Sequence, residues 1–120
     1  MVTYECNAIY GDYFGRREKV RVTRKLKNMP YAQAGVLEKE KSTDLISYAT
    51  NVCSVDKNGW LTCWWNYSAS TRKHIGAFGR EMGFTYQDAN YCFKNDCALN
   101  LNTGEILPME EYVKIYNSVA

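Results

Sequence analysis

Two runs rich in strand-forming residues, Leu45–Val55 and Trp60–Tyr67, flank Asp56-Lys57-Asn58-Gly59. Asn-Gly between such runs specifies a β-hairpin, because glycine accepts the positive φ of a tight turn without a Cβ clash. Two loops fit these residues. A two-residue Asn58-Gly59 turn pairs Lys57 with Trp60. A three-residue loop with Gly59 left-handed pairs Asp56 with Trp60 and sets Cys53 opposite Cys63. The second register gathers Val55, Cys53, Leu61 and Cys63 on one face and is preferred for that reason, with the first left open. Either way, the chain is committed to antiparallel sheet.

The flanking segments extend this sheet and add helices. Val2 to Tyr10 is rich in strand formers, and Lys19 to Leu26 alternates. Val20, Val22 and Leu26 face one way in that alternation, while Lys19, Arg21, Thr23 and Lys25 face the other. With turn residues at Gly11–Gly15 between them, the two segments predict a first hairpin with a basic outer face. Asn28-Met29-Pro30 interrupts the pattern, and Tyr31 to Lys41 is compatible with a short helix weakened by Gly35. Farther along, Ser68 or Ser70 is placed to cap a helix in which Thr71, Ile75, Phe78 and Met82 share a face, with Gly83 as its stop. Gly76 and Gly79 inside it each cost about 1 kcal/mol relative to alanine, which predicts close packing at both. Thr85 to Asp88 resembles a capping box for a second helix through Phe93. Cys97 to Leu101 reads as a strand, Asn102 to Glu105 as a turn, and Ile106 as resumed pairing. Pro108 suits the first turn of a last helix with the stripe Met109, Tyr112, Val113 and Tyr116. The expected fold is a single α+β domain over residues 1–120. Its mainly antiparallel sheet is small, with two to four short helices packed on one side.

The side-chain inventory offers little chemistry. His74 is the only histidine, so a Ser/His/Asp or Cys/His arrangement has to use it. No nucleophile-elbow spacing accompanies it, and a polar residue on the flank of an amphipathic helix accounts for it. Cys6, Cys53, Cys63, Cys92 and Cys97 are an odd number without short Cys-x2-Cys knuckles, which favours reduced, buried thiols over a zinc site. No glycine-rich phosphate loop is present, since Gly76-Ala77-Phe78-Gly79 lies inside a helical pattern. The expectation is a non-enzymatic protein without cofactor or metal. With 46% hydrophobic and 23% charged residues the composition is that of a globular domain. No apolar run approaches the roughly 18 residues of a membrane span. The start Met1-Val2-Thr3-Tyr4-Glu5 carries no secretory pattern, so a cytoplasmic location without membrane contact is expected.

Binding is the better use for the remaining signals. The net charge is +2, which is not that of an acidic DNA mimic. Residues 1–27 carry seven basic and three acidic side chains, a local balance of +4. Arg17, Lys19, Arg21 and Lys25, with nearby tyrosines, form the candidate nucleic-acid surface; the alternative is a solvated strand face. A sequence pI near 8.2 favours the solvated face. Aromatic residues make up 14% of the chain, and Trp64 and Trp65 must point to opposite sides of a strand. Trp64, Trp65 and Tyr67, with Arg72 and Lys73 at the helix start, form the candidate partner-binding surface, since exposed tryptophan with tyrosine neighbours has hot-spot composition.

The segments Leu45-Ile46-Ser47-Tyr48, Val52 to Asp56, Gly59 to Cys63, Tyr67 to Ile75 and Asn100 to Ile106 resemble an uncharacterised family of small proteins. Its members are encoded by phages, plasmids and chromosomes of Firmicutes. The resemblance spans about residues 45–106; Gly76, Gly79 and Trp64-Trp65 depart from the family pattern. It carries over no functional residue. The setting it implies is that of host-takeover factors, including inhibitors of the CRISPR nuclease Cas9. The function expected from this setting is inhibition of a host defence protein such as Cas9 by protein–protein contact, inside the host bacterium. A nucleic-acid-binding accessory module using residues 16–27 is the alternative.

Overall fold

The computed structural model describes residues 4–13, 16–48, 50–64 and 68–118, and up to Arg21 and at residues 117–118 it describes the backbone alone. β1 (Tyr4–Tyr13) and β2 (Arg16–Val22) form the expected first hairpin, a two-stranded antiparallel sheet in which Tyr13 faces Arg16 and Tyr4 faces Val22. The chain leaves it through Thr23 and enters β3 (Arg24–Lys25), the edge of a second sheet. That sheet continues in sequence order through β4 (Ala34–Glu38), β5 (Ser42–Ser47), β6 (Thr50–Asp56) and β7 (Trp60–Cys63). Two helices intervene, α1 (Ala69–Met82) and α2 (Tyr86–Asn95). β8 (Cys97–Asn100) and β9 (Ile106–Pro108) complete an antiparallel meander of seven strands, and α3 (Met109–Ser118) ends it.

The β6–β7 hairpin adopts the three-residue register. Cys53 stands opposite Cys63 and Val55 opposite Leu61. Gly59 has φ 91°, and its N–H donates to the Asp56 carbonyl at 3.0 Å. The Asp56 carboxylate holds the loop by accepting from the N–H groups of Asn58 and Trp60, at 2.8 and 3.0 Å.

Two expectations are corrected. Tyr31–Lys41 contains no helix; Ala34–Glu38 is a strand whose Gly35 faces Ile46 and whose Val36 faces Leu45. A glycine-containing stretch gains little as helix, and pairing on both sides with burial of Ala34 and Val36 decides its state. The run Leu45–Val55 is two strands, not one. It reverses at Tyr48, which takes a left-handed φ of 56°.

Local signals near the helices hold. Ser68 caps α1 by accepting the Thr71 N–H at 3.0 Å, and left-handed Gly83 ends it with an N–H bond to the Gly79 carbonyl at 2.8 Å. Thr85 and Asp88 form a reciprocal capping box on α2. Gly79 is required by packing, because a Cβ there would run into the Phe84 carbonyl oxygen. At Gly76 a Cβ would meet nothing within 4 Å, so close packing does not explain it.

Alternation divides the sheet into two faces. Leu61 joins Val36, Leu45, Val52 and Cys53 under Ile75, Phe78, Ala89 and Cys92 of α1 and α2. Val52 and Cys53 can both point into this core because β6 carries a bulge: Leu45 pairs with Cys53 but Ile46 pairs with Asn51. Trp60, next to Leu61, points the other way and packs with Ala98 and Tyr112. The α+β class with a small antiparallel sheet is therefore as read. The third helix takes the face opposite the first two.

Candidate functional site

On the α3 face, a polar row crosses three strands because their registers align Asp44 with Ser54 and Ser54 with Thr62. The centre of the row is a buried carboxylate, Asp44, whose side chain is 3% exposed. Burying an ionised carboxylate costs several kcal/mol unless hydrogen bonds and a counter-charge replace its water. Asp44 has both. Its Oδ1 accepts from the hydroxyls of Ser42, at 2.9 Å, and of Ser54. Its Oδ2 accepts from Asn51 Nδ2 at 3.2 Å and from Lys39 Nζ at 2.8 Å. Lys39 reaches in from beyond the end of β4 and stays 51% exposed. The Asn51 amide oxygen, Oδ1, is buried without a hydrogen-bond partner among the described residues.

A groove of about 260 Å³ runs over this floor. Trp64 forms one wall. Its indole Nε1–H donates to the Asn51 carbonyl at 2.8 Å, which holds the ring while leaving the residue 44% exposed. α3 forms the other wall with Met109, Tyr112, Val113 and Tyr116. Tyr112 is held by a tilted ring contact with Trp60, centroids 5.9 Å apart, and by donating from its hydroxyl to Asp56 Oδ2 at 2.8 Å. Burial, and then that bond to Asp56, push its phenol far above the ordinary tyrosine value. The groove thus has a neutralised polar floor between Trp64 on one side and Tyr112 and Tyr116 on the other.

The sequence-selected residues distribute as follows. Trp64 lines the groove, whereas Trp65 and Tyr67 lie outside the described residues. Arg72 and Lys73 are exposed on α1, which covers the other sheet face, so they do not line the groove. The strand β2 carries Arg17, Lys19 and Arg21 opposite Asp12, Tyr10 and Glu5, with their side chains outside the described residues. Lys25 is exposed at the sheet edge. Its neighbour Arg24 bonds Glu81 at 2.6 Å and Glu38 at 3.5 Å, so this charge is spent within the fold.

His74 is buried rather than on the helix flank, at 4% exposure. Its Nδ1 lies 2.8 Å from the Ser47 hydroxyl, which is 3.1 Å from Thr71, which in turn accepts from Ser68 at 2.8 Å. Burial lowers its pKa below the ordinary 6.5 and favours the neutral ring. This is a serine–histidine contact, but Ser47 is itself 2% exposed, leaving no approach for a substrate carbonyl. Cys53, Cys63, Cys92 and Cys97 are buried; Cys6 lies outside the side chains described. Burial pushes Cys53 well above the usual thiol value and Cys92 up to about 12, so both are protonated at neutral pH. Among the described residues no group of three or more His, Cys, Asp and Glu side chains is arranged to hold a metal ion. Nor is any helix among them long and apolar enough to cross a membrane.

Sequence reasoning missed Asp44 and Lys39. The available signal was Ser42-Thr43-Asp44-Leu45-Ile46, where Ser42 and Asp44 alternate onto one strand face. A family model matches residues 18–92, that of a family of unknown function (DUF8033). No curated protein and no solved structure matches the chain.

Proposed function

The chain belongs to this family of unknown function, and we propose that it is a non-enzymatic protein that binds another protein through the groove between Trp64 and α3. The observation that carries this reading is Trp64: an indole held by its own N–H bond yet 44% exposed beside Tyr112 and Tyr116. A pre-ordered aromatic ring loses little entropy on binding and offers a large apolar face, the composition of an interface hot spot. The polar groups beneath bond to one another and are not poised for proton transfer, which favours recognition over reaction.

The phage and mobile-element setting implied by the resemblance directs the first target to a host defence nuclease, Cas9. Under this reading the chain binds the Cas9–guide complex and lowers its DNA cleavage. The test is a titration against that complex with cleavage of a matched duplex as readout. Stoichiometric binding with reduced cleavage supports it; unchanged cleavage at saturating protein removes Cas9 as the target. Nucleic-acid binding through residues 16–27 predicts instead a steep fall of affinity for DNA or RNA with salt. Internal neutralisation of Arg24 by Glu81 and Glu38 weighs against that alternative.

A further inference from the structure

We infer that the groove takes a basic side chain of the protein partner, arginine above all, which replaces Lys39 on the Asp44 carboxylate. This rests on the reading of the groove as a protein-contact site. Three of the four donors to Asp44 are neutral and fixed to β5 and β6: Ser42, Ser54 and Asn51. The fourth is an ammonium on a flexible side chain that is half in water already. Lys39 and Asp44 are the charged side chains that line the groove, and their charges cancel.

That arrangement discriminates between incoming groups. An acidic side chain meets a buried carboxylate whose counter-ion is already engaged. A neutral one gains contact with the walls but leaves the ion pair as it was. A cation can exchange with Lys39, so the buried carboxylate stays neutralised and the displaced ammonium returns to water. The Asp44 carboxylate is already out of water in the free chain, so the exchange adds only the desolvation of the incoming cation, and part of that is offset as the Lys39 ammonium returns to water. The walls favour the same class, because the faces of tryptophan and tyrosine attract cations. Guanidinium is the better fit than ammonium. It is planar, stacks on aromatic rings, is weakly hydrated and presents a fork of N–H donors to a carboxylate. The groove, at about 260 Å³, is large enough to admit one inserted side chain.

The test uses the full chain and four blocked peptides, identical except for a central arginine, citrulline, lysine or glutamate. Binding is followed by NMR at the Trp64 indole N–H. The arginine peptide is expected to shift that resonance, and citrulline, which keeps the shape without the charge, to bind about tenfold more weakly. Lys39→Ala, at a half-exposed position, should tighten the arginine peptide by about threefold or more, because the competitor is gone. Asp44→Asn should abolish the preference for arginine over citrulline, and Lys39→Ala carries the test if that variant does not fold. Equal binding of citrulline, tighter binding of glutamate, weaker arginine binding by Lys39→Ala, or no shift with millimolar arginine peptide would overturn the inference. If arginine peptides fail while Trp64→Ala still disrupts a protein partner, this inference falls and the protein-contact reading stands. If they bind at Trp64 while the Cas9 titration fails, the inference stands and the target is another protein.

Discussion

Asp44 and Lys39 form one ion pair, yet the two halves differ in burial, and removing them has unequal consequences. Asp44→Ala leaves the hydroxyls of Ser42 and Ser54 and the Asn51 amide without their acceptor, and should cost about 3 kcal/mol or more. Lys39→Ala removes a half-exposed counter-charge whose place water can take while three donors remain, and should cost less, about 1–2 kcal/mol. Denaturant unfolding of both variants checks the contrast, and equal losses would show that Lys39 is structural and not exchangeable. His74 yields a pH prediction. Its folded pKa is lowered by burial, so well above pH 6.5 the ring is neutral in both states and contributes no pH dependence. As the pH falls below 6.5, the unfolded chain takes up the proton first, and stability declines until the folded ring titrates as well. Unfolding midpoints should therefore fall on acidification through this range, and His74→Gln should show a shallower fall.

At the scale of elements, α1 holds two glycines that should respond in opposite ways. Gly76→Ala enters open space and should stabilise by roughly 0.5–1 kcal/mol, since alanine is the better helix former. Gly79→Ala drives a Cβ against the Phe84 backbone and should destabilise by about 1–3 kcal/mol, the usual range for an overpacked site. Thermal unfolding of the pair distinguishes them by sign. The same scale explains what was legible in the sequence. The Asn58-Gly59 hairpin, the Ser68 cap, the Gly83 stop and the Thr85–Asp88 box are contained in a few consecutive residues, and each was readable. β4 was not, because Ala34–Glu38 is a strand only through its partners β3 and β5. In the candidate site, Trp64 was legible as a contact residue and the α3 wall as the apolar stripe Met109, Tyr112, Val113 and Tyr116. The floor was not: it is assembled from Lys39, Ser42, Asp44, Asn51 and Ser54, whose meeting depends on strand register and on the bulge at Val52. No periodicity within one segment encodes that meeting.

For the whole molecule, the two sheet faces have separate tasks. One is covered by α1 and α2 and encloses the thiols and the neutral imidazole in the core. The other is partly covered by α3 and keeps the groove beside the Asp44 network. The family match spans residues 18–92, which includes β5, β6 and β7 of the groove floor and the Trp64 wall but not α3. Recognition at this groove is the central claim, and Trp64 is its most direct handle. In calorimetric titrations against the Cas9–guide complex, Trp64→Ala should lose about 2 kcal/mol, roughly thirtyfold in affinity, with its unfolding midpoint close to that of the parent. Lys25→Ala, at the far edge of the sheet, should bind as the parent does. Binding by Trp64→Ala as tight as the parent's, or loss confined to Lys25→Ala, would contradict the account.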